Sequence, residues 1–250
     1  MTEWRIDDLI AGGWAVSNFV LDDIVIGWFN SFAQQSVLFD KIVMQLLFLN
    51  TVRLLPLAAC FVLLWFSDTG RHARRWILGE ALAGGALALL VSRLIQNFGP
   101  ERLRPLHAEH INFVIPFGGH ESVLKGWSSF PSDTSALTFA LVFGIYRASK
   151  PWGIVCFVWS VVIVGLPRIY AGYHYPSDII AGALVGIAAT AIVGWASTAI
   201  TFRDRFTGGF RLPAGLGYAF LFVVLYEIVT MFNDVRIASR GLAEYLVAGG

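Results

Sequence analysis

Apolar residues gather along this chain in runs whose length suits a lipid bilayer rather than a soluble core. A helix that crosses the hydrocarbon needs about 20 predominantly apolar residues. Such runs cover Leu47–Phe66, Ile77–Ile95, Thr134–Tyr146, Trp152–Leu166, Ile179–Ile200 and Leu216–Phe232. They predict an all-α, polytopic membrane bundle of six transmembrane helices. Residues 1–40 read differently. Asp7, Asp8, Asp22, Asp23 and Asn30 interrupt the apolar positions there, while Trp4, Trp14 and Trp28 recur. That pattern predicts an N-terminal helical segment lying at the interface, with a poor span across about 10–30 as the alternative. No basic stretch precedes an apolar core at the start, so a cleavable signal peptide is not expected. No repeat or linker divides the chain, and residues 1–250 are read as one domain.

The connections between runs alternate in character. Ser67–Arg75 carries Arg71, Arg74 and Arg75; Arg147–Lys150 is short and basic; Thr201–Arg211 carries Arg203, Arg205 and Arg211. The excess of Lys and Arg in cytoplasmic loops places these three inside. Gln96–Pro131 and Pro167–Asp178 then fall on the outer side. They hold Arg102, Arg104, Lys125 and Arg168, cations that an outer loop without a task would avoid.

Composition sharpens this picture. Among 250 residues, 56% are hydrophobic and 14% are Asp, Glu, Lys or Arg, against roughly 25% charged in soluble domains. A disordered chain, a coiled coil and a nucleic-acid binder are excluded. The formal net charge of +1 provides no global field to steer a partner. Cys60 and Cys156 both lie in apolar runs and read as buried thiols rather than a disulfide framework.

Candidate chemistry falls in three stretches on the outer side. They are Asn97 to Pro105, Phe130 to Ala136, and Pro167 to Asp178. Pro131 and Pro176 stand where helices begin, and each is followed by Ser-Asp. Two helix N-termini on one face offer free N–H groups and a positive dipole end to an anion. Arg104 and Arg168 add planar forks that match phosphate oxygens. His174 and Asp178, four apart at a helix start, can share a face. A carboxylate on one ring nitrogen fixes the tautomer and frees the other nitrogen as nucleophile or base.

In these motifs the sequence resembles the type 2 phosphatidic acid phosphatase superfamily of integral-membrane lipid phosphatases, including bacterial undecaprenyl diphosphate phosphatases. The family pattern is Lys-x6-Arg-Pro, Pro-Ser-Gly-His, then Ser-Arg-x5-His-x3-Asp. Arg104-Pro105 matches the end of the first part, Pro131-Ser132 the start of the second, and Arg168-x5-His174-x3-Asp178 the third. The match spans roughly residues 40–200. The resemblance implies a phosphohistidine mechanism that needs no metal. His174 would attack phosphorus with Asp178 in support, while Arg104, Arg168 and Ser132, with Asp133 and Thr134 beside them, would hold the phosphoryl oxygens. The implied partners are a membrane lipid phosphate and the bilayer; no nucleic acid and no cofactor are implied. The implied location is the plasma (inner) membrane, with the site on its extracytoplasmic face.

The departures from the pattern are informative. The family lysine falls on Asn97; Arg93, one turn earlier, is a substitute, and Arg102 is a further auxiliary cation. Pro167 stands where the family has serine. Thr134 stands where the family has the histidine that protonates the leaving group. A loop histidine (His107, His110 or His120) can replace it, Asp133 can be held protonated by burial, or little acid is needed. The last option has a physical argument. An alkoxide is about as basic as hydroxide, whose conjugate acid has a pKa of ~15.7. A leaving phosphate monoester has a second pKa of about 6. Loss of the acid therefore penalises a monophosphate far more than a diphosphate, and a prenyl diphosphate such as undecaprenyl diphosphate is the expected substrate. A phosphotransferase and a non-catalytic lipid-phosphate binder are the alternatives. His107-Ala-Glu-His110 has no third spaced ligand and reads as a solvated loop.

Overall fold

The computed structural model describes residues 20–67, 71–199, 214–230 and 232. All regular elements among them are helical. They are α1 (Val20–Asn30), α2 (Val37–Phe48), α3 (Asn50–Phe66), α4 (Arg71–Phe98), α5 (Asp133–Ala148), α6 (Lys150–Trp159), α7 (Leu166–Tyr170), α8 (Pro176–Ala199) and α9 (Ala214–Val229). A wider-wound segment, Ser160–Gly165, joins α6 to α7 in one continuous rod. The expectations for Asp7, Asp8 and the first two tryptophans and for Thr201–Arg211 lie outside the described residues.

Among the described residues three rods are long and apolar enough to cross a membrane: His72–Phe98, Lys150–Tyr170 and Pro176–Thr198. α2 and α3 pass the same test together but meet at 56°. The apolar run expected over Leu47–Phe66 is therefore broken at Leu49, and its first residues belong to α2. The polar group at the start of α3 explains the break. Asn50 donates to the Thr230 carbonyl at 3.0 Å and accepts from Arg53. α5 has 16 residues, about 24 Å at 1.5 Å per residue, less than the ~30 Å hydrocarbon. Length thus supports three spans, or four with the bent pair, and not each of the six expected.

α5 is short because it is the axle of the bundle. Every residue from Thr134 to Val142 is buried, as are Gly144 and Ile145, and α4 and α8 pack along it. Lipid tails are as apolar as leucine, so close backbone approach and dispersion do the packing that the hydrophobic effect does in water. Small residues permit that approach. A Cβ on Gly186 would lie 2.2 Å from the Ala136 carbonyl oxygen, and one on Gly182 2.3 Å from that of Ser132. Gly144 meets Ala81 of α4 in the same way.

Polar contacts pin both ends of the bundle. At one end Arg147 reaches Glu80 at 2.7 Å, and Ser197 donates to the same carboxylate at 2.5 Å. At the other, buried Asp40 accepts from the Gln34 and Phe117 N–H groups and from the Tyr170 hydroxyl. That anchor holds the long α4–α5 connection over the bundle mouth.

Candidate active site

Ser132 closes the N-terminus of α5. Its hydroxyl accepts from Ser135 N–H at 3.4 Å, and Asp133 places a negative charge in the first turn. Asp178 does the equivalent for α8. One carboxylate oxygen accepts the Tyr175 N–H at 2.8 Å, reaching back over the helix start as in a capping box. The two starts are bonded directly, Ser132 N–H to Asp178 O at 3.0 Å. The chain between α7 and α8 turns at Gly172, whose φ of +70° suits glycine. The turn folds Tyr173 N–H back onto the Arg168 carbonyl at 2.9 Å, so Arg168 and His174 share one rigid loop.

His174 is 4% exposed. Its Nδ1 lies 2.9 Å from the Ser129 carbonyl oxygen and 3.6 Å from Asp178 Oδ2. The proton on Nδ1 therefore goes to a backbone carbonyl, with Asp178 as the nearby charge; the expected direct hydrogen bond to the carboxylate is replaced. Nε2 is left as the acceptor, 3.3 Å from Arg104 Nη1. Burial pushes the His174 pKa below its ordinary value, with Asp178 working against it and Arg104 adding to it. The ring is thus kept neutral and its Nε2 lone pair available.

Asp178 is fixed from behind. Arg102 Nη1 meets its Oδ1 at 2.5 Å, while Nη2 meets Asp22 Oδ2 of α1 at 2.7 Å. Ser177 N–H and hydroxyl also bond Asp22, and the Arg102 guanidinium lies 4.0 Å from the Tyr175 ring centroid. Arg102 therefore sits behind the histidine, between two carboxylates.

A cavity of about 540 Å³ opens in front of His174. Arg53, Arg93, Arg104, Lys125 and Arg168 line it, with Asp133, Thr134 and Tyr173. Arg104 is braced by the Tyr173 carbonyl at 2.5 Å, and Arg168 by that of Val164 at 2.6 Å. Arg93 enters from α4 and pairs with Asp133 at 2.6 Å, its guanidinium 5.5 Å from the Trp127 ring centroid. Asp133 also accepts the Thr134 N–H at 2.7 Å. This is the setting of an ionised carboxylate, not of a protonated acid.

Several expected residues stand elsewhere. Asn97 is exposed and does not line the cavity, which Arg93 reaches from one turn earlier. Ser132 is fully buried, its hydroxyl engaged with Ser135. His107 lies against the Val123 carbonyl at 3.1 Å and His110 3.4 Å from Asp23, while His120 is exposed; none of the three lines the cavity. Among the described residues no group of three or more His, Cys, Asp or Glu is placed to hold a metal ion. Asp22, Arg53 and the Ser129 carbonyl were not foreseen. The only sequence signal for Asp22 is a carboxylate standing inside an apolar stretch.

A buried imidazole faces a pocket of guanidinium groups at the mouth of an apolar helical bundle, an arrangement with the charge and geometry to receive an anion. Comparison with known proteins gives the class its name. Residues 82–202 match the PAP2 superfamily. The chain is 39% identical over 151 residues to the bacitracin transport permease protein BcrC of Bacillus licheniformis, spanning 58% of this chain and 67% of that one. It is 35% identical over 135 residues to the lipid A 1-phosphatase of Rhizobium etli, 51% of this chain and 49% of that one. It is 27% identical over 147 residues to the undecaprenyl-diphosphatase BcrC of Bacillus subtilis, 57% of this chain and 68% of that one. The fold is similar to the crystal structure of Aquifex aeolicus LpxE, with a TM-score of 0.52 and 24% identity over 72% of this chain and 98% of that one. The chain belongs to the PAP2 superfamily and is an integral membrane protein.

Proposed function

We propose that the protein removes the terminal phosphate from a polyprenyl diphosphate, such as undecaprenyl diphosphate, through a phosphohistidine. The observation that carries this reading is Nε2 of His174, unprotonated and facing a cavity lined by Arg104 and Arg168. Nε2 forms the bond to the terminal phosphorus, and the bond to the lipid phosphate oxygen breaks. Fixed guanidinium groups stabilise the charge that develops on the phosphoryl oxygens at no reorganisation cost during the reaction. Water then hydrolyses the phosphohistidine. Asp178 favours the imidazolium character that builds up on His174, and Arg102 with Asp22 keeps Asp178 in place.

The diphosphate assignment rests on Thr134, which lines the cavity where the family would place an acid. A lipid phosphate leaves without full protonation; an alkoxide does not. The names of the Bacillus subtilis and Rhizobium relatives, an undecaprenyl-diphosphatase and a lipid A phosphatase, support a lipid-borne phosphate. The basic ends near Arg74, Arg75, Arg147 and Lys150 support a cytoplasmic placement for the end remote from the site. The site then works on the extracytoplasmic face of the plasma membrane, in a bundle of six spans including α5 and α9. Thr134 also favours one second reading, a lipid-phosphate binder without turnover.

Phosphate release from undecaprenyl diphosphate by purified protein, compared with His174→Ala, is the test. Release by the native chain and none by the variant is expected. Equal release by both removes the phosphohistidine; tight lipid binding without release by either favours the binder.

A further inference from the structure

The cavity holds a donor that the family pattern does not name. Three hydroxyl side chains line it among the described residues: Ser122, Thr134 and Tyr173. Ser122 is exposed, and the Thr134 hydroxyl points to Asp133 Oδ1 at 3.4 Å. Tyr173 is 8% exposed, and its buried hydroxyl makes no hydrogen bond to another of the described residues. A buried polar group without a partner costs about 1–3 kcal/mol, so one that persists in a phosphate cavity calls for a ligand oxygen. Its ring packs against Met44, Leu47 and Ala171, while its backbone carbonyl braces Arg104. The ring is thus fixed in the wall of the cavity that His174 also lines.

Resting on the phosphatase reading above, we propose that the Tyr173 hydroxyl contacts the oxygen that leaves phosphorus and gives it a proton, the task the family assigns to the residue at Thr134. The step balances. Nε2 of His174 bonds to phosphorus, the bond from phosphorus to the leaving oxygen breaks, and the phenol proton passes to that oxygen. In the second step water attacks the phosphohistidine, the N–P bond breaks, and a water proton returns to the phenolate. Phosphate departs and Tyr173 is restored. The acidity ordering supports the role. A phenol with an ordinary pKa of about 10 is far more acidic than water at ~15.7. Burial outweighs the pull of Arg104 and Arg168 and leaves the Tyr173 phenol above its ordinary value, still far more acidic than water, with the two guanidinium groups there to stabilise the transient phenolate. A phenol remains a weaker acid than imidazolium, so the diphosphate preference persists.

The test uses Tyr173→Phe, which keeps the ring and its packing, on two substrates of the intact protein in detergent. One is undecaprenyl diphosphate, whose leaving group is a phosphate. The other is undecaprenyl monophosphate, whose leaving group is an alkoxide. The variant is expected to lose about 100-fold in monophosphate turnover, the usual worth of a general acid. On the diphosphate it is expected to lose less than about tenfold, because that leaving oxygen needs little proton. Losses equal on both substrates, no loss on the monophosphate, or no detectable monophosphate turnover by the native chain each overturn the proposal. Native protein that releases phosphate from neither lipid overturns the phosphatase reading itself, a result distinct from all of these.

Discussion

Asp178 approaches His174 no closer than 3.6 Å, because its two oxygens are taken by Arg102 and by the Tyr175 N–H. The carboxylate therefore acts on the ring as a fixed charge, while the Ser129 carbonyl sets the tautomer. Replacing Asp178 by Asn keeps the helix-start hydrogen bond in reach but removes the charge. Turnover is expected to fall by about 100-fold or more, as for the loss of one preorganised electrostatic partner, with the substrate KM little changed. Steady-state kinetics of the variant decide this, and unchanged turnover contradicts it.

Arg102 is the residue whose loss should hurt stability most. Arg102→Met leaves Asp22 and Asp178 facing each other, buried and without their shared cation. Breaking a buried ion pair from one side costs about 3–5 kcal/mol. A clear drop in Tm of the purified variant is expected, and an unaltered Tm refutes the role given to this pair.

Asp133 moderates the cavity by pairing with Arg93. In Asp133→Asn the guanidinium is released to phosphate. Inorganic phosphate should then inhibit more strongly, by up to about fivefold for a partly exposed pair. Weaker inhibition would show that Asp133 holds Arg93 in its useful position instead.

Acid should silence the enzyme late. With burial lowering the His174 pKa, Nε2 stays unprotonated below the ordinary histidine value of about 6.5. The acid limb of the kcat profile is expected below that value. The stability contribution has the matching sign: above about pH 6.5 both states carry neutral histidine, and below it the unfolded chain binds the proton first. Stability from this group is therefore lost as pH falls. His174→Gln should flatten that part of the dependence in a Tm-against-pH series.

The contact of α8 with α5 leaves no room for one carbon. Gly186→Ala puts a methyl 2.2 Å from the Ala136 carbonyl oxygen, and the helices must part. Overpacking of this kind costs about 1–3 kcal/mol. A lowered Tm is expected, with turnover reduced because Ser132 and Asp178 share a hydrogen bond across the same contact.

The rods α4, α8 and α6–α7 were legible because a long apolar run has few alternatives in a bilayer. The placing of Arg104, Arg168, His174 and Asp178 near one another was legible from their spacing beside helix starts. The bend at Leu49 was not, because hydropathy averages over Asn50 and Arg53 inside the run Leu47–Phe66 and does not mark them as a hydrogen-bonded corner. In the sequence Asp22 only interrupts an apolar stretch, since periodicity says nothing about which distant residue a carboxylate will meet. The Ser129 carbonyl left no trace at all, as every residue carries one. Arg93 shows a subtler limit: a helix can supply a charge from a neighbouring turn, and only the geometry shows that it reaches.

The hydrogen bond from Ser177 N–H to Asp22 spans 155 positions. A ribosome makes Asp22 well before Ser177 and Asp178, with α4, α5 and α6–α7 coming between them. Until then the cations of the mouth have no organised histidine to serve. A nascent or truncated product lacking α8 therefore carries Arg104 and Arg168 without the Asp178 carboxylate beside His174.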